Sequence, residues 1–425
     1  MLNKSRAIFL IFLIFPFAVF GQKMVNSPFA RFNLGIFEPA GSFRTLGMGG
    51  TSIGMRDNNT LYFTNPASYS SLDTNSFVFD FGLDYGVNIL SDGETRHTSD
   101  DMNFDHLLLG FPLARGWGIA AGIIPISNGY YKISKTIEEG DPDYDPLVGG
   151  YSEYHLGKGS FSNFFIGTGI NFLKNFSAGV NMTLLFGSIN RSAQFIFDDF
   201  NTSFHDNKSE SYRMSGLNFE YGIQYAASLK KDYFFNLGAS MVTGKDYKST
   251  YENLIFTYNF FGTTDTLSLF LDESSRSSLP ATMSLGLSFG KKNKFVAGAD
   301  YIATNWSEAA FQGSEGYVAD TRAILLGFEY IPDKYSNYSL LRRMEYRIGG
   351  HLKDNYLIIN GEQIKEIGFS IGVGVPLRRT LSKANVFVDF TKRSGESDAI
   401  HSENCITIGA SINLYDQWFI KRKYD

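Results

Sequence analysis

The chain has 425 residues, with 38 Lys+Arg against 43 Asp+Glu for a net charge of −5, which argues against a nucleic-acid partner. A single cysteine, Cys405, rules out an internal disulfide. Forty Phe, 24 Tyr and 43 Gly mark a strand- and loop-rich chain, more aromatic than a soluble core needs but suited to a barrel with two interfacial girdles.

In chain order, Lys4 and Arg6 precede an unbroken apolar run at 7–20, and Val19-Phe20-Gly21 offers a cleavage site. This predicts a cleavable secretory signal over 1–21, since the run is shorter than the ~20 apolar residues of a spanning helix. No Cys follows to carry a lipid anchor, and after Gly21 no apolar stretch approaches a spanning helix in length.

Residues 22–75 do not alternate and are rich in Gly, Asn and Ser. They include Leu46-Gly47-Met48-Gly49-Gly50 and Thr64-Asn65-Pro66-Ala67-Ser68. From residue 77 the pattern changes. Phe77, Phe79, Phe81, Leu83, Tyr85, Val87 and Ile89 share one strand face, while Ser76, Asp80, Gly82, Asp84, Gly86 and Asn88 share the other. Such a run suits a tilted strand of about 10 residues facing lipid. Thirteen further segments follow, at 104–111, 117–126, 160–173, 176–188, 215–229, 233–243, 281–289, 295–303, 322–330, 344–352, 364–375, 384–391 and 404–414. The expected fold is all-β: a fourteen-stranded antiparallel transmembrane barrel over 76–414, in the outer membrane of a Gram-negative bacterium.

Connections alternate in length. Those at 115–116, 174–175, 230–232, 290–294, 332–343 and 376–383 are short or compact, whereas 127–159, 189–214 and 244–280 read as long loops. The compact turns and the tail at 415–425 are strongly basic, with Lys230, Lys231, Lys291, Lys292, Lys294, Arg378, Arg379 and Lys421-Arg422-Lys423. The long connections carry about twice as many acids as bases. Short basic turns facing the periplasm would place both termini, including the basic tail, on that side. Fourteen strands enclose a lumen that leaks unless filled, so 22–75 is expected to fold inside as a plug.

Gly47-Met48-Gly49-Gly50 and Asn65-Pro66-Ala67 resemble the hatch motifs of the FadL/TodX family of outer-membrane transporters for fatty acids and other hydrophobic compounds. Further matches are Trp117-Gly118 leading to Ile124-Pro125, Leu279-Pro280, Asp300-Tyr301 and Trp306-Ser307. The resemblance covers most of the mature chain and implies a fourteen-stranded barrel with an N-terminal hatch. Departures are Ile126-Ser127 where the family has Phe-Gly, Ser68 where it has Gly, and the basic tail.

Pro125 lies inside a predicted strand, where it cannot donate to the ladder. Either the strand ends there at the outer rim or, as the resemblance implies, strand three is kinked and opens a lateral gap, with Asn128-Gly129 permitting the turn. Asp80, Asp84, Glu220, Asp300 and Glu329 fall on inward faces. They either face water or pair with Arg31, Arg44 and Arg56 of the plug.

Gly50-Thr51-Ser52-Ile53-Gly54 matches the serine-hydrolase elbow pattern without the strand and helix that chemistry needs. Glu138, Glu139, Asp141, Asp143 and Asp145 read as a solvated acidic loop, since Pro146 stands where a calcium loop needs glycine. The six His show no metal spacing. The chain is therefore read as a non-enzyme without cofactor or metal. Its expected role is passive uptake of small hydrophobic, fatty-acid-like molecules with lateral exit into the membrane. The alternative is a non-transporting accessory barrel of a secretion or assembly complex. Expected partners are a hydrophobic small molecule or lipid, outer-membrane lipids and lipopolysaccharide, and, for the alternative, other outer-membrane proteins.

Overall fold

The computed structural model describes residues 26–91, 96–198, 204–259, 261–273, 275–311, 317–377, 380–395 and 402–417. The signal at 1–21 and the tail beyond Gln417 lie outside these residues, as do Arg378 and Arg379. Fourteen antiparallel strands close into a barrel. They are β1 Ser76–Ser91, β2 Arg96–Ala114, β3 Trp117–Pro125, β4 Tyr151–Asn171, β5 Phe176–Phe197, β6 His205–Ser228 and β7 Tyr233–Val242, followed by β8 Thr282–Lys291, β9 Phe295–Thr304, β10 Thr321–Tyr330, β11 Glu345–Ile359, β12 Glu362–Pro376, β13 Lys383–Ser394 and β14 Ser402–Gln417. The seal is β1 on β14, running from Ser76↔Gln417 to Ser91↔Ser402.

Period-two alternation decides which face meets lipid. On β6, Leu217, Phe219, Tyr221 and Ile223 are exposed on the outer face, while Asn218 and Gln224 are buried inside.

The regions read as long loops are largely strand. β4, β5 and β6 are 21, 22 and 24 residues long, and 244–280 contains strands Lys245–Tyr258, Thr264–Asp272 and Arg276–Leu279. A tilted strand needs only ~9–11 residues to cross a bilayer, so about half of each long strand projects beyond it. The sequence hides this for a physical reason. Past Phe164, Phe186 and Leu217 the outward face turns polar, with Lys158, Asn190 and Arg213 exposed, and the apolar alternation stops while the ladder continues.

Residues 26–75 run down the inside of the barrel from the long-strand end to the short-turn end. Phe29, Ala30, Leu34 and Ile36 pack on Phe161, Ile189, Tyr212, Trp306 and Tyr356 near the top. Lower down, Phe43 and Leu46 meet Phe387, and Leu61, Phe63, Tyr69 and Leu72 meet Leu108, Phe165 and Tyr415. The termini expected on the short-turn side lie outside the described residues, whereas Asn26 lies beside Asn88, Ser99 and Lys132, at the opposite end from Gln417. The top of the lumen offers the apolar cluster that Phe29 and Leu34 fill, and this draws 26–36 upward.

Candidate functional site: the lumen segment and the wall seam

The segment is fixed to the wall through backbone groups as much as through charge. Its helical turn Phe43–Leu46 presents Arg44, which donates to Glu329 of β10 from Nε at 3.1 Å and Nη2 at 2.8 Å, to Thr60 at 3.0 Å, and pairs with Asp57. Glu329 also accepts from Arg347 Nε of β11 at 2.7 Å, and Arg347 in turn pairs with Glu345. Burial pushes the Asp57 carboxyl up, but Arg44 and Lys383 outweigh it and hold the group below its usual range.

Of the three segment arginines, only Arg44 is seen to meet one of the five inward carboxylates among the described residues. Arg56 donates to Ser177 at 2.9 Å, Gln224 at 3.1 Å, Ser70 at 2.9 Å and Asn171 at 2.9 Å. Burial pushes its guanidinium down to about 10. Arg31 stacks over Phe32, 4.7 Å from the ring centroid, near the top of the lumen.

The pairing expected for Asp300, Glu220 and Asp80 is corrected, since each meets another partner. Asp300 accepts from the backbone amides of Ser52 at 2.6 Å and Ile53 at 2.9 Å, because the tight turn there points two N–H groups at one oxygen. Glu220 accepts from Asn181 Nδ2 at 2.9 Å. Asp80 lies 3.3 Å from His106, whose other ring nitrogen is 2.6 Å from Asp105. Asp84 lines a small cavity with Leu46, Gly49, Gly50 and Asp105.

Asn65 acts as a local clasp. Its Oδ1 accepts from Ala67 N at 3.2 Å, and its Nδ2 donates to Ile53 O at 2.9 Å and to the wall carbonyl of Ile223 at 3.3 Å. Pro66 opens the short helical turn Pro66–Ser71. Gly49 and Gly50 both have positive φ, 69° and 91°, and Gly49 N donates to Ser370 Oγ at 2.8 Å.

Sequence reasoning missed the wall's imprint of this segment. Gly169, Gly179 and Gly222 sit opposite one another across β4, β5 and β6, and Gly298, Gly327 and Gly349 do the same across β9, β10 and β11. A β-carbon at Gly179 would fall within 3.0 Å of Pro66 C, Pro66 O and Ala67 N; one at Gly349 would do so with Met48 C and Gly49 N. Inward glycines repeating at one height of successive strands were the available signal.

The wall itself has a seam. The ladder between β2 and β3 stops at Leu107↔Ile123. Beyond it, strand three bends inward. Ser127 and Asn128 pair with Phe37 and Ile36 of the segment, and the strand resumes as Tyr131–Ile137 against β4 only. Ile126 N donates to Phe161 O of β4 at 2.9 Å, so by alternation the missing donor of Pro125 faces β2 across the seam. Gly129 does not supply the turn through a left-handed backbone, as its φ is not positive. It is there for space, since a β-carbon would meet Ile189 at 2.9 Å and Gly159 O at 3.1 Å.

Among the described residues, no ladder joins 96–106 of β2 to 131–137. The start of the segment lies across this opening. Asn26 O accepts from Asn88 Nδ2 at 3.0 Å and Ser99 Oγ at 3.2 Å; its Oδ1 accepts from Lys132 N at 2.9 Å; and Ser27 N donates to Tyr130 O at 3.3 Å.

The family profile described as BamG matches residues 1–425. The chain belongs to the BamG family. No curated protein matches. The barrel fold of this BamG-family chain is shared with FadL/TodX-type structures. The Pseudomonas putida toluene transporter TodX is 16% identical with a TM-score of 0.58, covering 89% of this chain and 98% of that one. The Ralstonia pickettii toluene transporter TbuX is 12% identical with a TM-score of 0.56, covering 89% and 99%. A Pseudomonas aeruginosa FadL homologue is 11% identical with a TM-score of 0.55, covering 89% and 98%. At these identities the likeness establishes the fold.

Beside residues 37–40 of the segment, the BamG-family barrel holds a cavity of about 380 Å³. Phe37, Ile126, Leu185, Leu279 and Trp306 give it apolar walls, and Asn163, Asn218, Glu220 and Lys353 give it polar ones.

Proposed function

We propose that this chain is a closed outer-membrane barrel serving as a fixed, non-transporting subunit of a larger outer-membrane assembly. The observation that carries this reading is the chain's own Asn26-Ser27, bonded to both sides of the seam through which a ligand would otherwise leave. The vertical route is obstructed too, since Arg44–Glu329, Asp300 and Asn65 tie the segment to the wall on separate strands, β10, β9 and β6. A pore that must open repeatedly gains nothing from backbone clamps of this kind. A rigid scaffold does, and the projecting strands give it a large surface outside the bilayer. The test is purification from native outer membranes in mild detergent. A defined complex with other outer-membrane proteins, together with silent bilayer recordings, fits the reading; a lone barrel that carries bound hydrophobe and conducts would overturn it.

Uptake of small hydrophobic molecules is the second reading, favoured by the 380 Å³ cavity beside the seam, which lies within the ~300–1,000 Å³ typical of ligand sites. In that reading Pro125, Asn128 and Gly129 frame the lateral exit, and withdrawal of Asn26 opens it.

A further inference from the structure

The region beyond the bilayer contains a strand that lacks the protection edge strands normally have. Thr264–Asp272 forms a hairpin with Lys245–Tyr258, and among the described residues that hairpin is its only ladder. Lys245–Tyr258 pairs on its other side with β6, from Lys248↔Ser215 to Tyr258↔His205. The regular part of this strand, Ser268–Leu271, opposes Glu252–Ile255, which in turn opposes Lys208–Ser211. It therefore lies six or more residues past Leu217, the last large apolar residue of the lipid face of β6, or roughly 15–25 Å further out at ~3.4 Å per residue along a strand tilted by ~40°. Lipid hydrocarbon does not reach it.

At that height the strand nonetheless carries Leu267, Leu269, Phe270 and Leu271, which are 61%, 61%, 53% and 50% exposed. Leu269 and Leu271 share one face and Phe270 takes the other. Edge strands in soluble surroundings are ordinarily blunted by lysine, proline or a bulge. The devices here are Asp265 and the register shift at Ile255/Phe256, opposite Leu267, and both leave Ser268–Leu271 regular and uncharged. An apolar, regular, free edge in water is a template for another strand.

Charge selects the occupant. Between Thr250 and Glu273 the sequence has Glu252, Asp265, Asp272 and Glu273 and no Lys or Arg. A second copy of this chain would bring the same four acids against these and be repelled. We propose that Ser268–Leu271 is a docking edge for an extended, basic segment of a different surface-exposed protein, added as a further strand with alternate apolar side chains on Leu269 and Leu271. This rests on the subunit reading above and names the chemistry of the partner it requires.

The test places a photo-crosslinking amino acid at Leu269, Leu271 and, as a control, at Leu147, which is 95% exposed on another connection. Full-length protein is irradiated in intact cells, and the adducts are mapped to residues. The expected result is one partner, with adducts from 269 and 271 falling two residues apart in a stretch containing Lys or Arg, and none from 147. Adding Leu269→Lys should cut the adduct from 271 at least tenfold while the barrel keeps its heat-modifiable mobility. Adducts confined to lipid, to the chain itself or to a second copy overturn the docking edge. Should the complex co-purify intact under those conditions, the subunit reading survives without it. A lone barrel with no protein adduct overturns both.

Discussion

Gly179→Val is the sharpest test of how the lumen segment is seated. Gly179 has an ordinary extended backbone, so a side chain there causes no φ strain. The conflict is with Pro66 C, Pro66 O and Ala67 N, all backbone and all within 3.0 Å of the new β-carbon. No flexible side chain can yield, so the turn Pro66–Ser71 must lift from β5. Three wall bonds then break: Tyr69 OH to Asn181 at 3.0 Å, Asn65 Nδ2 to Ile223 O at 3.3 Å, and Arg56 to Ser177 at 2.9 Å. At about 1 kcal/mol each the seat weakens by about 3 kcal/mol, roughly a hundredfold shift toward the displaced segment. The fourteen-strand ladder is untouched, so the barrel still assembles. In planar bilayers the parent should be silent, while the variant should show opening events about a hundred times more often. Gly350→Ala is the matched control, because its nearest contact is Gly368 O at an ordinary 3.5 Å. A folded Gly179→Val barrel that stays as silent as the control would refute the argument that glycine registers hold the segment.

Arg44→Met should free the segment's lower part by about 2–3 kcal/mol, less than for a fully orphaned buried pair because Glu329 keeps Arg347; trypsin sensitivity at Arg56 in detergent would report it. Asp300→Asn retains an acceptor for Ser52 N and Ile53 N but loses the charge, and should lower the thermal midpoint of the segment, not of the barrel, by about 1–2 kcal/mol in equivalent free energy. A cysteine at Leu147 should label on intact cells and one at Lys230 should not, against low background because the native Cys405 is buried; the reverse pattern would invert the barrel in the membrane. Replacing Asn26 by Ala together with Pro125→Val separates the two functional readings. If uptake is real, Asn26→Ala alone should raise entry of a long-chain hydrophobe, and adding Pro125→Val, which restores the missing donor, should bring it back down. Flat entry in both favours the closed scaffold.

What was legible in the sequence follows from where water and lipid lie. Each strand was found where one face meets hydrocarbon and the other the lumen, as on β6 from Leu217 to Ile223, since only there does the environment impose period two. Above Leu217 both faces are polar or half-buried, and the same strand became unreadable as strand although its hydrogen bonds continue to His205. The lumen site was half legible for a related reason. Arg44 and Glu329 could be matched because opposite charges buried inside a barrel need each other, whereas Asp300 went to backbone amides and Asp80 to His106, partners that carry no sequence complement to search for. Proline signalled the seam because a missing N–H is a local fact readable from one residue. That the seam is then crossed by Asn26, nearly a hundred residues earlier, depends on where the apolar cluster around Phe161 and Trp306 draws 26–36, and no local pattern encodes it. The edge at Ser268–Leu271 falls between these cases: its alternation is plain once the hairpin is known, but within a stretch of 37 residues from Gly244 to Pro280 it is indistinguishable from loop. The two sites left open by the ladder thus differ in kind. The seam at Pro125 is filled from within by the chain itself, and the edge at Leu269 faces outward with none of the described residues covering it, which is why only the second calls for a partner.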